Sequence, residues 1–319
     1  MDILSIGNAT LDVFLLLHAL QKFNYDKFSN QISFPLGEKI PLDEYNISLG
    51  GNACNVAVGL SRLGLNTSLV AEVGDDEFSE RIVKELTKEK VDQKFLKKIH
   101  EEDPHFNIVL SYEGERTILS EKNNHQVDLS VDNINAKFIY LTSFGGDWKS
   151  LYEKILSSSN SLIGFNPGSR QLNENLEDII GYLTKVEILF VNLSEAKKII
   201  GEDSPDIKEI ITKLKGLGPK VVSVTDGANG SYALGKEGQI YQLGTMGERP
   251  LERTGAGDSY STGFIYGYLG GMDIGDCMRL GAVNASSVIK KVGAQNGLLT
   301  KEEIEQKSSE NSTFTAVKL

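Results

Sequence analysis

Short apolar runs alternate along the chain with longer stretches of helical period. Ile3-Leu4-Ser5-Ile6 and the segments 67–73, 138–141, 162–165, 188–191 and 221–224 are short, mostly apolar, and followed by glycine or polar residues. Runs of that length and bounding read as buried strands. Between them lie helical patterns. Val56, Leu60 and Leu63 form a stripe that Gly64 closes, and Phe78, Ile82 and Leu86 recur at four-residue intervals. Amphipathic segments follow near 151–156 and 176–183, and Phe264, Ile265, Tyr268 and Leu269 mark a late helix. The resulting βαβα rhythm is that of an α/β protein. No internal repeat is evident.

Two stretches break the rhythm. Residues 22–44, from Lys22 to Glu44, mix polar and aromatic types without helical period and read as an irregular excursion or edge strands. Between His105 and Ser120, Ile108-Val109-Leu110 and Thr117-Ile118-Leu119 flank Glu113-Gly114-Glu115-Arg116, a hairpin suited to act as a flap. From Thr300 the pattern predicts a short charged helix and then a loosely held polar tail.

The chemistry gathers after the strands, where open α/β sheets bind ligands. Thr254-Gly255-Ala256-Gly257-Asp258 runs straight into the late helix. Small residues let a phosphate approach the backbone, and a helix N-terminus offers unpaired N–H groups with a favourable dipole. An aspartate beside such an anion site is a candidate general base that takes the proton of an attacking hydroxyl. Taken alone, the stretch reads equally well as a glycine turn with a carboxylate favoured in the first helical turn. Gly50-Gly51-Asn52-Ala53-Cys54-Asn55 opens an earlier helix with paired glycines. Asp12, among Leu11, Val13 and Phe14, is either near an exposed edge or fixed by hydrogen bonds, because an unpaired buried charge is costly. The other strand ends deliver Asn166-Pro167-Gly168-Ser169-Arg170, Asn192-Leu193-Ser194-Glu195 and Thr225-Asp226-Gly227-Ala228-Asn229-Gly230.

Composition narrows the partners. The 319 residues are 40% hydrophobic and 24% charged, an ordinary globular balance, and 33 Lys+Arg against 44 Asp+Glu give a formal charge of −11. That charge argues against nucleic acid or an anionic membrane as partner and favours small molecules. Cys54 and Cys277 are the only cysteines and suggest neither a disulfide framework nor a zinc site. No apolar run is long enough to span a membrane, so the expected location is cytoplasmic.

Together these residues resemble the ribokinase-like (PfkB) family of carbohydrate and nucleoside kinases over nearly the whole chain. Two ordered motifs carry the resemblance: Gly50 through Gly64 is similar to the family's N-terminal signature, and Thr254 through Asp258 to its C-terminal one. The resemblance implies a three-layer α/β/α sandwich with a mostly parallel central sheet, as a single domain over 1–319. It also implies a small β lid drawn from about 12–48 and 105–120. The implied activity is transfer of the γ-phosphate of ATP to a hydroxyl of a neutral sugar, with a nucleoside as the alternative acceptor. Asp258 would be the base beside an anion hole of Gly255, Ala256 and Gly257. Asp12 and Asn55, with Gly50, Gly51 and Asn52, would hold substrate hydroxyls, for which a carboxylate and an amide are suited. Asn192 and Glu195 match an Asn-x-x-Glu motif that organises magnesium and nucleotide phosphates, largely through water. By itself that stretch also reads as a helix start capped by Ser194. Thr225, Gly227 and Gly230 resemble the nucleotide-binding strand and turn, and Asn284 an adenine or ribose neighbour. Asn166 and Arg170 would reach the transferred phosphate.

Departures from the family pattern add two expectations. Members that take sugar phosphates often carry lysine after the paired glycines; Asn52 at that position implies a neutral acceptor. Glu252 and Arg253 stand where an aspartate helps build a monovalent-cation site. Gly297, in Gly293-Ala294-Gln295-Asn296-Gly297, brings no side-chain oxygen, so weak potassium activation is expected. An exposed lid edge can pair with a second copy as a homodimer or stay free. A non-catalytic sensor would have little need to keep base, anion hole and acidic motif together. A hydride-transferring enzyme is disfavoured because no Gly-x-Gly-x-x-Gly with a downstream acid appears near the N-terminus.

Overall fold

Strands without polar alternation have to be covered on both faces, and helices long enough to cross back over them supply the cover. In the computed structural model, which describes residues 1–17, 23–42, 44–99, 106–120, 134–247 and 249–319, the apolar runs are strands and the periodic segments are helices. The first part of the chain forms β1 (Ile3–Ile6), β2 (Thr10–Leu16), β3 (Asn24–Asp26), β4 (Gln31–Ser33), β5 (Tyr45–Gly50), α1 (Asn52–Arg62), β6 (Thr67–Val73), α2 (Glu77–Lys88), β7 (Leu96–Lys98), β8 (Phe106–Tyr112) and β9 (Glu115–Ser120). Then come β10 (Phe138–Thr142), α3 (Trp148–Ser158), β11 (Leu162–Asn166), α4 (Ser169–Glu174), α5 (Leu176–Tyr182), β12 (Ile188–Asn192), α6 (Leu193–Ile200), α7 (Ile207–Gly216) and β13 (Val221–Thr225). The last part forms β14 (Ser231–Leu234), β15 (Ile240–Leu243), α8 (Ala256–Leu269), α9 (Ile274–Val288), α10 (Lys301–Glu310) and β16 (Val317–Lys318).

Among the described residues the main sheet has the order β16-β15-β14-β13-β12-β11-β10-β1-β6-β7. Strands from β13 to β7 in that order run parallel, and β14, β15 and β16 add an antiparallel edge. Alternate side chains of one strand enter different cores. Ile139 and Leu141 of β10 pack with Tyr152, Ile179, Ile199 and Leu214 from α3, α5, α6 and α7. Phe138 and Tyr140 pack on the opposite face with Val56, Phe264, Met278 and Ile304 from α1, α8, α9 and α10. The sheet is therefore the middle of three layers, as expected.

A second sheet, of order β5-β2-β8-β9, grows from the same chain. In it β2 pairs antiparallel with β5 and parallel with β8, which places Asp12 opposite Asn107. The hairpin β8–β9 turns at Glu113 and Gly114, both at positive φ, matching the right-handed twist of its arms. The excursion near 22–44 becomes a separate ribbon of β3 and β4, while Lys22 and His105, at the outer limits of the two expected segments, lie outside the described residues.

The tail differs from expectation. Val317 and Lys318 pair with Gln242 and Tyr241 at the sheet edge, and Phe314 and Ala316 pack on the second core, so the end of the chain is held. An edge strand with free backbone groups and an apolar anchor outweighs the polar composition of the segment. No helix among the described residues is long and apolar enough to cross a membrane.

Candidate active site

Two cavities open at the carboxyl ends of the parallel strands. The first, of about 410 Å³, is lined by residues that follow β1, β11, β12 and β13, by the start of α8, and by the inner face of the small sheet. The second, of about 240 Å³, lies between Gly227 to Ser231, the segment around Met246 and Pro250, and α9. Thr225, Gly257 and Tyr260 line both. An elongated ligand can thus run from one to the other past the N-terminus of α8.

That N-terminus is built for close approach. Gly255 caps α8 at φ +79, and a Cβ there would meet Ala294 at 2.6 Å, so both conformation and packing require glycine. Nothing lies within 4 Å of the position a Cβ would take on Gly257, which leaves space above the first amides of the helix. Gly255 and Gly257 line the first cavity, whereas Ala256 lines the second.

Asp258 follows in the first turn of α8 and is 8% exposed. Its Oδ2 accepts a 2.7 Å hydrogen bond from Asn55 Nδ2. Burial pushes its pKa up to about 6 against the pull of that bond and of the Arg116 guanidinium, while Asp12 and Glu195 push it further up. The carboxylate is ionised near neutrality yet is a far better proton acceptor than an exposed aspartate.

Across the cavity, Asp12 Oδ1 accepts from Asn107 Nδ2 at 2.8 Å and from Thr10 Oγ1 at 2.9 Å. Its pKa is raised by burial, with those two bonds opposing. Oδ2 accepts from no donor among the described residues and is free for a ligand hydroxyl. Gly50 lies behind it: a Cβ there would sit 2.0 Å from Asp12 Oδ2, so Gly50 makes room for the carboxylate rather than lining the cavity. Gly51 and Asn52 line the first cavity, Gly51 at φ +90 as the cap of α1.

Asn55 has a task that the sequence reading did not assign. Its Oδ1 accepts from Gln295 Nε2 at 2.9 Å while Nδ2 holds Asp258, so it orients the acid and has only one N–H left for a ligand. Arg62, at the end of α1, pins the 295–298 segment by donating to the carbonyls of Gln295 and Leu298. One helix thus fixes the whole Asn55–Gln295–Asp258 chain.

Asn192 and Glu195 form a capping box on α6: Asn192 Oδ1 accepts from the Glu195 amide at 2.9 Å and Glu195 Oε2 from the Asn192 amide at 3.0 Å. The cap is Asn192, not Ser194, because only the first residue of the box can face the N3 amide. Partial burial raises the Glu195 pKa against the hydrogen bonds from Asn192, and Glu195 lines the first cavity. Asn166 lines the first cavity with Nδ2 tied to the Phe190 carbonyl at 2.8 Å. Thr225 stands at the junction, and Gly227 and Gly230 line the second cavity.

Two expected residues stand elsewhere. Arg170 lines neither cavity and pairs with Glu174 one turn along α4, since its helix directs it sideways to an acid at i+4. Asn284 is 1% exposed and saturated, donating to the Ser259 carbonyl and accepting from the Leu299 amide, so it ties α9 to α8 and touches no cavity. Arg253 pairs with Glu115 of β9 and not with Glu252. Glu252 is fully buried, its Oε1 held by the amide and hydroxyl of Thr254 and its Oε2 unpartnered among the described residues.

Arg116, which the sequence places in the hairpin without a role, lines the first cavity with Ile118 and Ser120, the alternate residues of β9. Period-two alternation from the Glu113-Gly114 turn could have placed it on the inner face. Asn107 carried no such signal, because its contact with Asp12 depends on pairing across 95 residues of sequence, whereas Thr10 lies two residues from Asp12 on β2 and alternation along the strand could have placed the two on one face.

The pfkB family carbohydrate kinase model matches residues 21–301. An uncharacterized sugar kinase of Archaeoglobus fulgidus is 29% identical over 250 residues, 76% of this chain and 98% of its own. A 5-dehydro-2-deoxygluconokinase of Clostridium perfringens is 27% identical over 96% of this chain and 92% of its own. The fold matches the crystal structure of Methanocaldococcus jannaschii nucleoside kinase, an archaeal member of the ribokinase family, with a TM-score of 0.77 over 97% of this chain and 98% of that one, at 21% identity. The chain belongs to the pfkB family of carbohydrate kinases, enzymes of ATP-dependent sugar or nucleoside phosphorylation.

Proposed function

We propose that the first cavity holds a neutral sugar, or alternatively a nucleoside, and that the second holds the base and ribose of ATP. The γ-phosphate then lies at the Gly257 junction. The observation that carries this reading is the buried Asp258 carboxylate at the start of α8, facing the cavity whose far wall carries Asp12. Asp12 Oδ2 accepts one acceptor hydroxyl, and Asp258 takes the proton of the hydroxyl that attacks phosphorus as the bond to the β-phosphate oxygen breaks. Gly255 and Gly257 amides receive the charge of the transferred group, whereas the Ala256 amide, the third member of the expected anion hole, donates to the Arg253 carbonyl at 3.1 Å and braces the turn. The cation for that group is Arg116, which makes no ion pair among the described residues, lines the first cavity and acts on Asp258.

The test is ADP formation with magnesium, ATP and a panel of free pentoses, hexoses, nucleosides, sugar acids and sugar phosphates. Turnover of a neutral compound is the expected result. A clear preference for a sugar phosphate or sugar acid would overturn neutrality and assign Arg116 to the acceptor's own anion. A cytoplasmic location accords with this reading, and the outer strand β9 leaves an edge through which a homodimer can form.

Magnesium would neutralise phosphate charge here. Glu195 is the acid suited to it, acting through water, since no cluster of three acidic, cysteine or histidine ligands occurs among the described residues. Glu195→Gln is expected to raise the magnesium concentration giving half-maximal rate; an unchanged magnesium profile removes Glu195 from that role.

For potassium, one buried oxygen, Glu252 Oε2, has no protein partner among the described residues, but its twin is engaged by Thr254. Gly297 can bring no hydroxyl, because a Cβ there would lie 2.4 Å from the Ser287 carbonyl. Weak activation is expected. Loss of about tenfold or more in rate, equivalent to about 1.4 kcal/mol, when tetramethylammonium replaces potassium would show that Oε2 anchors a cation.

The base also sets a pH limit. A protonated Asp258 cannot accept the hydroxyl proton, and its pKa is raised to about 6. With a saturating acceptor of fixed charge, kcat/KM for ATP is expected to fall about tenfold per unit below that pH, and a flat profile down to pH 4.5 would contradict the role.

A further inference from the structure

The tip of the β8–β9 hairpin rests on the nucleotide side of the molecule. Gly114, although at a hairpin turn, is buried, and a Cβ built on it would lie 3.3 Å from the Pro250 carbonyl oxygen and 3.7 Å from its ring. The next residue, Glu115, pairs with Arg253. Pro250 and Arg253 both line the second cavity, and Arg253 stands two positions before Gly255. On the other side of the strand, Arg116 lines the first cavity. A single short segment therefore touches both ligand sites.

The geometry points to the Glu115–Arg253 pair, backed by the Gly114–Pro250 contact, as the link by which nucleotide in the second cavity sets the position of Arg116 over the first. This rests on the kinase reading above. A nucleotide base that packs against Pro250 and the Arg253 stem restricts the 249–253 segment, and the restricted guanidinium holds Glu115. β9 then keeps Arg116 at the place where charge develops. Because coupling between sites is reciprocal, an acceptor that holds the hairpin also tightens nucleotide binding by the same factor. Glu115 and Arg253 are positioning residues in this scheme. Their side chains are 66% and 43% exposed, so the pair biases the hairpin and does not lock it.

Hydrogen–deuterium exchange on the full-length protein with and without AMP-PNP and magnesium tests this without an acceptor, with calorimetry reporting occupancy. In the wild type, AMP-PNP should slow exchange of the 113–116 amides about twofold to fivefold, the range of an exposed ion pair. Glu115→Gln and Arg253→Gln should each remove most of that slowing at full occupancy, and together should do no more than either alone. The charge exchange Glu115→Arg with Arg253→Glu should restore it, which a merely structural role would not predict. Equal slowing in wild type and both single variants, or no slowing in a wild type that calorimetry shows to be saturated, overturns the link and leaves the kinase reading intact. Failure of AMP-PNP to bind at all overturns both.

Discussion

Asp258→Asn is expected to lower the single-turnover rate of phosphoryl transfer by about 10²–10⁴-fold, the usual contribution of a positioned general base. Nucleotide affinity should change little, because Asp258 acts on the attacking hydroxyl and not on the bound triphosphate. The same substitution should raise the melting temperature at neutral pH. Burial raises the Asp258 pKa from 3.8 to about 6, so the folded state binds the proton more tightly than the unfolded chain. The stabilising linkage is complete only below the unfolded pKa and is lost as pH rises through 6; at pH 7 the ionised acid is a cost, on the order of 3 kcal/mol. An amide at this position carries no charge and keeps an oxygen for Asn55 Nδ2. Loss of rate with a higher melting temperature separates lost chemistry from lost folding. Near-wild-type turnover would remove Asp258 from the role of base.

The second large effect is expected from Arg116→Gln, which should lower kcat by about 10²–10³-fold, the scale set by removing one preorganised donor to a developing charge. The cavity already carries Asp12, Asp258 and Glu195, so a transferring phosphoryl group meets a field of acids that only a nearby cation offsets. Arg116 supplies it from β9 and has no competing ion pair among the described residues. Arg116→Lys keeps the charge but loses the planar fork, so partial recovery is expected. With single-turnover measurements, a change confined to the acceptor KM, with kcat intact, would show that Arg116 binds acceptor and does not act on the phosphoryl group. The first cavity would then select an anionic compound.

The architecture was legible because its causes are local. β1, β6 and β10 are buried along their whole length, and sequences that must be covered on both faces are mostly apolar, though β6 also buries Thr67, Ser68 and Glu72. The glycines before α1 and α8 were legible for a similar reason: close approach of backbone to backbone, or of ligand to backbone, excludes side chains, and only glycine meets that condition at Gly51 and Gly255. Asp258 stood out because an acid beside an anion site is anomalous, whereas Asp12 drew attention as a carboxylate among apolar residues and Glu195 through the Asn-x-x-Glu motif that its stretch resembles. Elements with weaker local signals went unseen, including the three-residue β7 and the antiparallel pair β14 and β15, whose strands are held by their neighbours more than by their own composition.

Residue by residue, what the chain alone determined is which positions had to be small, apolar or charged; what only the tertiary structure decided is where each side chain found its partner. Asn55, which lines the first cavity, gained the further task of holding Asp258 because Gln295, 240 positions away, takes its carbonyl. Arg170 and Asn284 left the site because an acid at i+4 and the backbone of α8 were nearer partners. Arg116 entered it because a hairpin folded over the cavity, and Arg253 met Glu115 and not Glu252 for the same reason. A long polar side chain has several partners of similar energy along its own sequence, so the choice falls to whichever donor or acceptor the packed layers bring within 3 Å.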